Sequence, residues 1–246
     1  MPILSITIPT WNRSEFFNQQ IERISSQLTS DVEVIACLNP PNPDYVLPNW
    51  LKVFRNRIHL PGWDNLLVAV TQARGDYCWI LSDDDLLLPG AIDTVLDALR
   101  SYPGLVIAHD GRFNIGCDYG SRFATYGEFV SATNTAPIVG AHTLCSANIF
   151  RRDTFDFEYA IEKQDTLYNF FYGMLRHIFN KPVSITKDPV FVPGPIETAS
   201  IHRTSPQQIS DHVASYPQVI RDIEAWVELN TGAKPFPWMP GDGFYP

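Results

Sequence analysis

Hydrophobic and polar positions follow two patterns along the first 110 residues of the chain. Short, nearly continuous apolar runs are typical of strands that are covered on both faces of a sheet. These runs cover residues 3–8, 32–38, 77–81 and 105–108. Between them, apolar residues recur at helical spacing over residues 14–28, 65–73 and 89–100, with Ser14 expected to cap the first helix. The alternation predicts an α/β fold in which a mostly parallel sheet has helices on both faces.

The second half of the chain is less regular. Residues 111–140 are rich in Gly, Thr, Ser and aromatic residues, which indicates short strands and a long loop. Further strands are expected at residues 144–150 and 183–192, and further helices at residues 164–179 and 206–229. The last residues contain too much proline and glycine for a helix or a central strand.

Composition argues against two classes of partner. With a net charge of −9, the chain does not resemble a general nucleic-acid binder. No stretch reaches the roughly 20 apolar residues of a membrane-spanning helix, and the N-terminus lacks the pattern of a secretory signal. The four cysteines are widely spaced and mostly lie in apolar runs, which favours free thiols in a reducing compartment. We therefore expect a soluble, cytoplasmic protein with no nucleic-acid partner and no membrane span.

Three consecutive carboxylates follow the third predicted strand. Asp83, Asp84 and Asp85 lie just past its carboxyl end, as Pro9 and Asn39 lie past the ends of two other strands. Because open α/β sheets bind ligands at the carboxyl ends of their strands, we expect these positions to converge. A divalent cation bound to a phosphorylated ligand explains the run of like charges. A solvated acidic turn before the next helix is the alternative.

Two sequence blocks connect these positions with a known family. The first is Ile6–Arg13, ITIPTWNR, which resembles the opening of the family 2 glycosyltransferases. The second runs from Asn65 to Asp85 and is similar to that family's second block in order and spacing, with Pro89-Gly90 following as in the family. The resemblance covers the first 110 residues closely and the remainder loosely. It implies a GT-A fold, with a Rossmann-like, mostly parallel sheet and a less regular acceptor-side half.

The resemblance also implies a reaction. A metal-dependent, inverting glycosyltransferase would move a sugar from a nucleotide diphosphate, with a UDP-sugar favoured, to the hydroxyl of a glycan, lipid-linked or other acceptor. Residues 1–110 would bind the donor, residues 111–232 would form the acceptor-side half of the same domain, and residues 233–246 would form a Pro/aromatic-rich tail. The oligomeric state stays open. The alternative is a catalytically drifted GT-A-like module that binds a nucleotide sugar or a carbohydrate.

The family binds its metal ion and the donor ribose through a D-x-D motif. Ser82 stands at the first acidic position here, which leaves the register open, so we expect Asp84 or Asp85 to bind the metal and Asp83 to contact the ribose or order the site. Mn²⁺ or Mg²⁺ is the expected cofactor because these ions suit oxygen ligands. Related enzymes often supply a late histidine to the metal or the diphosphate, and His202 is the candidate. A surface histidine is the alternative.

Further residues match donor-side positions of the family or lie beside them. They are Pro9, Thr10, Trp11, Arg13, Asn39, Asn65, Asp76 and Arg203. Asn39 stands where the family usually has an acid, and it either hydrogen-bonds a base edge or is a plain turn residue. Arg13 either approaches the diphosphate or is a solvated residue at a helix start. Asp76 either lies near the donor or is exposed where a strand begins.

An inverting transfer needs a carboxylate that takes the proton of the acceptor hydroxyl. The family places this acid at the start of a helix after an acceptor-side strand, and residues 146–152 resemble that strand. The matching position selects Asp165 as the base, with Glu162 as the second choice. The alternative role of Asp165 is a charge that favours a helix N-terminus. His109 follows the fourth predicted strand and is a candidate for the acceptor pocket.

Overall fold

The computed structural model describes residues 1–41, 44–110, 117–132, 144–164 and 168–194, together with residues 221, 222, 225 and 229, which are helical. The strands in these parts of the chain are β1 (Leu4–Thr10), β2 (Val32–Leu38), β3 (Lys52–Arg55), β4 (Tyr77–Ile80), β5 (Leu86–Leu87), β6 (Leu105–Ile107), β7 (Arg122–Phe123), β8 (Asn148–Arg151), β9 (Val183–Ile185) and β10 (Phe191–Val192). The helices are α1 (Ser14–Ser25), α2 (Gly62–Gln72), α3 (Ala91–Ser101), α4 (Tyr126–Ala132), α5 (Phe157–Glu162) and α6 (Asn169–Leu175).

Eight of the described strands form one sheet in the order β3-β2-β1-β4-β8-β6-β9-β7. Parallel pairs join β3, β2, β1 and β4, and a further parallel pair joins β6 and β9. Because β8 runs antiparallel to both β4 and β6, those two strands point in the same direction. Only β8 and β7 are therefore reversed among the described strands of this sheet. The predicted mostly parallel α/β sheet is confirmed.

Both faces of the sheet are covered by helices, as the continuous apolar runs predict. Alternate side chains of β4 and the residue after it show this arrangement. Trp79 and Leu81 pack into a cluster with α1 and α3, whereas Cys78 and Ile80 pack into a cluster with α2, α4 and α6. All four side chains are fully buried. Packing closes both faces, so the loops that leave the carboxyl edge are the part of the sheet open to a ligand.

Two short strands were not predicted, and one predicted strand is divided. β3 is an edge strand of four exposed residues, so it lacks the buried apolar run that marks its neighbours. The strand predicted at residues 183–192 forms β9 and β10 instead, because Lys187-Asp188-Pro189 interrupts the run and proline cannot donate to a ladder. β10 leaves the main sheet and pairs with β5, the strand that directly follows Asp85.

The helices also differ from the predictions at their ends. Arg13 occupies the N-cap position of α1, where the sequence predicted Ser14. The helix predicted at residues 164–179 is the shorter α6. Of the helix predicted at residues 206–229, the four described positions are helical. The tail at residues 233–246 lies outside the described residues.

Within the described residues, no helix has the length and apolar character needed to cross a bilayer. The four cysteines are free thiols. Burial raises the pKa of Cys37 and of Cys78 to about 12, so both thiols stay protonated at neutral pH.

Candidate active site

The loops that follow β1, β2 and β4 meet at the carboxyl edge of the sheet. Pro9 and Thr10 are the last residues of β1 and lie opposite the end of β2. The backbone amide of Asn39 donates to the carbonyl of Thr10 at 2.9 Å, which joins the first two loops. Side chains of residues 83–85 complete the cluster from the loop after β4. The structure thus brings together three loops that the strand-end rule predicted to converge.

Asp83 is bound by the loop after β1. Its Oδ2 accepts a hydrogen bond from Thr10 Oγ1 at 2.5 Å, and its Oδ1 accepts one from Arg13 Nη1 at 2.9 Å. Only 4% of the residue is exposed. Burial raises the pKa of the Asp83 carboxyl to about 6; the Arg13 guanidinium opposes the rise, and the neighbouring Asp84 charge adds to it. The ionised form of Asp83 therefore depends on its positive neighbour.

Arg13 bridges two of the three carboxylates with one nitrogen atom. Its Nη1 donates to Asp83 as described and also to Asp84 Oδ2 at 2.7 Å. Burial disfavours the positive charge, but the attraction of Asp83 and Asp84 outweighs it and raises the pKa of the guanidinium. The other oxygen of Asp84, Oδ1, accepts a hydrogen bond from Ser82 Oγ at 2.5 Å. The N-terminus of α1 is thereby tied to the loop after β4.

Asp85 faces a different part of the chain. Its Oδ1 accepts a hydrogen bond from the backbone amide of Gly194 at 2.9 Å, and its carboxyl is also hydrogen-bonded by the side chain of Ser146. Burial raises the pKa of Asp85 to about 6 despite these hydrogen bonds. A Cβ added at Gly194 would lie 2.8 Å from both the Cβ and the carbonyl oxygen of Asp84. The segment after β10 therefore lies directly against the carboxylates.

Three asparagines form a network beside the second loop. Asn56 Nδ2 lies 2.7 Å from both Asn39 Oδ1 and Asn65 Oδ1. Asn39 also donates to the carbonyl of Leu60 at 2.8 Å, and Asn65 donates to the carbonyl of Cys37 at 3.2 Å. Asn39 and Asn65 are buried and fix the loop between β3 and α2. Sequence reasoning missed Asn56 because it follows β3, and the strand-end rule would have found it had that strand been predicted.

Trp11 and His59 form an aromatic pair next to this network. Their ring centroids are 4.5 Å apart and the ring planes are inclined by 53°. The indole Nε1 is buried and has no hydrogen-bond partner in the part of the chain that the structure describes. The two rings offer flat surfaces on which a planar ligand group can stack.

Other predicted residues lie elsewhere. Asp76 is exposed where β4 begins, at the opposite edge of the sheet, so the structure does not bring it to the carboxylates. Glu162 is the exposed last residue of α5. His109 follows β6, is buried, and stacks on Tyr119 with the ring centroids 3.7 Å apart. The predicted residues Asp165, His202 and Arg203 lie outside the described residues.

Among the described residues, no group of three or more His, Cys, Asp and Glu side chains is arranged to hold a metal ion. The three aspartates do not form the single claw that their adjacency suggested. Asp83 and Asp84 share Arg13 as a hydrogen-bond partner, whereas Asp85 is bound by Gly194 in a different segment.

A family comparison matches this arrangement. Residues 5–157, more than half of the chain, match the model of the family described as glycosyl transferase family 2. The chain belongs to this family. The match includes the loops after β1, β2 and β4, so the family region contains the three aspartates with Thr10 and Arg13, whereas Gly194 lies outside it.

Two curated relatives match over part of their length. Abequosyltransferase RfbV of Salmonella typhimurium is 28% identical over 127 residues, which cover 47% of this chain and 38% of the relative. The GalNAc(5)-diNAcBac-PP-undecaprenol beta-1,3-glucosyltransferase of Campylobacter jejuni is 32% identical over 105 residues, which cover 39% of this chain and 34% of the relative. The chain thus spans little more than a third of these relatives.

Solved structures share the fold at low sequence identity. Staphylococcus aureus TarS in complex with UDP-GlcNAc has a TM-score of 0.61 and 14% identity, covering 94% of this chain and 67% of that one. Glucosyl-3-phosphoglycerate synthase of Mycobacterium tuberculosis, with Mn²⁺ and UDP-glucose, has a TM-score of 0.54 and 13% identity, covering 88% and 79%. These likenesses confirm the GT-A type fold that the resemblance implied.

Proposed function

We propose that this chain transfers a sugar from a nucleoside diphosphate to the hydroxyl of an acceptor. The observation that carries the proposal is the cluster of Thr10, Arg13 and residues 83–85 at the carboxyl edge of the sheet. Family membership supplies the reaction class, and the named glycosyltransferases among the relatives support it. UDP-sugars are the first candidates because two of the solved structures with this fold contain them.

The donor would bind across the first two loops. Trp11 and His59 offer ring surfaces for the nucleobase, and stacking of a base on an aromatic side chain contributes about 1–3 kcal/mol. Asn39 and Asn65 would maintain the loop that frames the base. Arg13 would bind diphosphate oxygens, which match the guanidinium fork. Asp76 has no part in this proposal because it lies at the other edge of the sheet.

The donor set fits Mn²⁺ or Mg²⁺. Asp84 and Asp85 supply carboxylate oxygens, which these ions prefer. Three carboxyl groups lie beside the one guanidinium of Arg13, so a divalent cation would offset the remaining negative charge when all three are ionised. Asp84 and Asp85 would hold the ion, with His202 as a candidate third ligand. When bound, the ion would act as a Lewis acid toward the leaving diphosphate.

The second half of the chain would provide the base that activates the acceptor hydroxyl. Asp165 comes three residues after Glu162, the end of α5, and remains the proposed base. Its carboxylate would take the proton of the attacking hydroxyl during an in-line displacement, which inverts the anomeric centre. Glu162 is the second choice. The curated relatives include an enzyme named for an undecaprenol-linked glycan, so a glycan or a lipid-linked glycan is the proposed acceptor class.

Replacement of the proposed base tests this function. We expect Asp165→Asn to bind a nucleotide sugar with Mn²⁺ as wild type does, because the donor contacts lie on other loops. Its transfer rate should fall by about 10²–10⁴-fold, the usual contribution of a general base. The measurements are thermal shift across a panel of nucleotide sugars and release of nucleoside diphosphate with a glycan acceptor.

Glu162→Gln is the matched variant for the second candidate. If Asp165→Asn transfers sugar at the wild-type rate and Glu162→Gln loses transfer, Glu162 is the base. Nucleotide-sugar binding without transfer in wild type, under every acceptor class tested, would favour the alternative of a binding module and contradict the proposed activity.

A further inference from the structure

The carboxylates that the proposed function assigns to the metal are already engaged by the chain. Asp84 Oδ2 accepts from Arg13 Nη1 at 2.7 Å, and Asp84 Oδ1 accepts from Ser82 Oγ at 2.5 Å. Both oxygens of Asp83 are also engaged, one by Thr10 and one by the same Arg13 nitrogen. A single guanidinium nitrogen therefore lies between two carboxylates, in the kind of position that a bridging cation takes.

Arg13 Nη1 and a divalent ion would repel each other if both were bound to Asp84 Oδ2. An ion bound to Asp84 Oδ2 would lie within a few ångströms of Nη1, and both groups are positive in a largely buried site. Only 11% of the Arg13 side chain and 10% of the Asp84 side chain is exposed, so solvent screens the repulsion poorly. One of the two cations must lose contact with Asp84.

Arg13 is the partner that can move. Thr10 is fixed in β1, and Ser82 bonds Asp84 from two residues away in the same loop. Arg13 instead has a long, rotatable side chain at the N-cap of α1, where no side-chain hydrogen bond caps the helix. Its neighbour Asn12 is exposed with a left-handed φ of 54°. A guanidinium released there would be beside the proposed diphosphate site, and phosphate oxygens accept its N–H groups in pairs.

We propose that Arg13 is an exchangeable counter-ion for Asp83 and Asp84, a role that rests on the proposed function. In the protein without donor, Arg13 neutralises the two carboxylates and competes with divalent cations. When a metal–diphosphate pair binds, Arg13 leaves Asp84 and binds the phosphate oxygens. Metal and nucleotide then strengthen each other's binding, and by linkage the strengthening is equal in both directions.

Mn²⁺ binding to the full chain tests the exchange. Titration by electron paramagnetic resonance would be run without nucleotide and with saturating UDP, on wild type, Arg13→Met and Arg13→Lys. We expect Arg13→Met to bind Mn²⁺ alone about ten-fold tighter or more than wild type, and UDP to improve that affinity far less, because the competing charge is gone. Arg13→Lys retains the charge and should stay close to wild type.

Arg23→Met is the matched control on the same helix. Arg23 donates to the carbonyl of Leu87 at 3.0 Å. We therefore expect Arg23→Met to bind Mn²⁺ as wild type does. If Arg13→Met binds Mn²⁺ without nucleotide as tightly as wild type or more weakly, the exchange is overturned. Arg13→Gln replaces Arg13→Met if the Met variant does not fold. The proposed function fails separately, if wild type binds no nucleotide sugar, because the comparison of Mn²⁺ affinity without nucleotide does not depend on nucleotide binding.

Discussion

Asp83, Asp84 and Asp85 are consecutive in the sequence, yet Asp85 takes different partners from Asp83 and Asp84, which share Arg13. Asp83 contacts the loop after β1, Asp85 contacts the segment after β10, and Asp84 is bonded to both Arg13 and Ser82. Distribution of the partners over several segments lets three like charges lie side by side in a buried loop. The arrangement remains costly, since burial raises the pKa of Asp83 and Asp85 to about 6.

The variant Asp85→Asn tests the cost of burying this carboxyl group, through the pH dependence of the free energy of unfolding. A carboxyl whose folded pKa lies above its ordinary value loses folding stability as it ionises, so the contribution of Asp85 falls as pH rises from about 4 to beyond 6. We expect the variant to be more stable than wild type at pH 8 by about 3 kcal/mol and near wild type at pH 4. Denaturant unfolding without metal at the two pH values measures this.

Asp97→Asn is the exposed control, because 80% of the Asp97 side chain is accessible. A stabilisation by Asp85→Asn that is equal at pH 4 and pH 8, or a loss of stability at pH 8, would show that burial is not what perturbs this carboxyl.

At the scale of elements, the pair of β5 and β10 fixes the loop after β4 at its far end. The two strands pair in antiparallel fashion, and Leu88 N donates to the carbonyl of Val190 at 3.0 Å. The chain then reaches Gly194, whose amide binds Asp85. The described chain is thereby held beside the carboxylates as far as Gly194.

Gly194→Ala tests the closeness of this contact. The new Cβ would meet backbone and side-chain atoms of Asp84 at 2.8 Å, which is shorter than real Cβ contacts, so the segment or Asp84 must shift. We expect a loss of stability of about 1–3 kcal/mol, as for other overpacked sites, and about ten-fold weaker binding of UDP with Mn²⁺. Thermal unfolding and calorimetry measure the two effects.

Gly62→Ala is the matched control, because a Cβ there would have nothing within 4 Å and alanine suits a helix. Should Gly194→Ala behave like Gly62→Ala in both measurements, the contact with Asp84 would have no role in the site.

Elements with a strong apolar signal were predictable, and those that depend on distant partners were not. β2 was predicted at residues 32–38, where the structure has it, because both of its faces are buried. β3 was missed because its four residues are exposed at an edge. β5 and β10 have two residues each, and only their mutual pairing makes them strands.

At the scale of the whole molecule, the two halves of the chain share one sheet. β6 belongs to the first 110 residues but lies between β8 and β9 of the second half. The carboxyl ends of β1, β2 and β4 form one edge, which is why the convergence of the loops at Pro9, Asn39 and the three aspartates could be predicted from sequence position. Asn56 was missed together with β3, and Ser146 and Gly194 could not be predicted because their contacts depend on how remote loops pack.

Donor hydrolysis tests the central claim most directly, namely that the carboxylates at this edge act on a nucleotide sugar. Purified protein would be incubated with UDP-sugars and Mn²⁺, and released UDP would be measured for wild type and for the double variant Asp84→Ala, Asp85→Ala. We expect wild type to release UDP, and we expect this release to be lost with EDTA and in the double variant. Wild-type rates in the double variant, unaffected by EDTA, would contradict it.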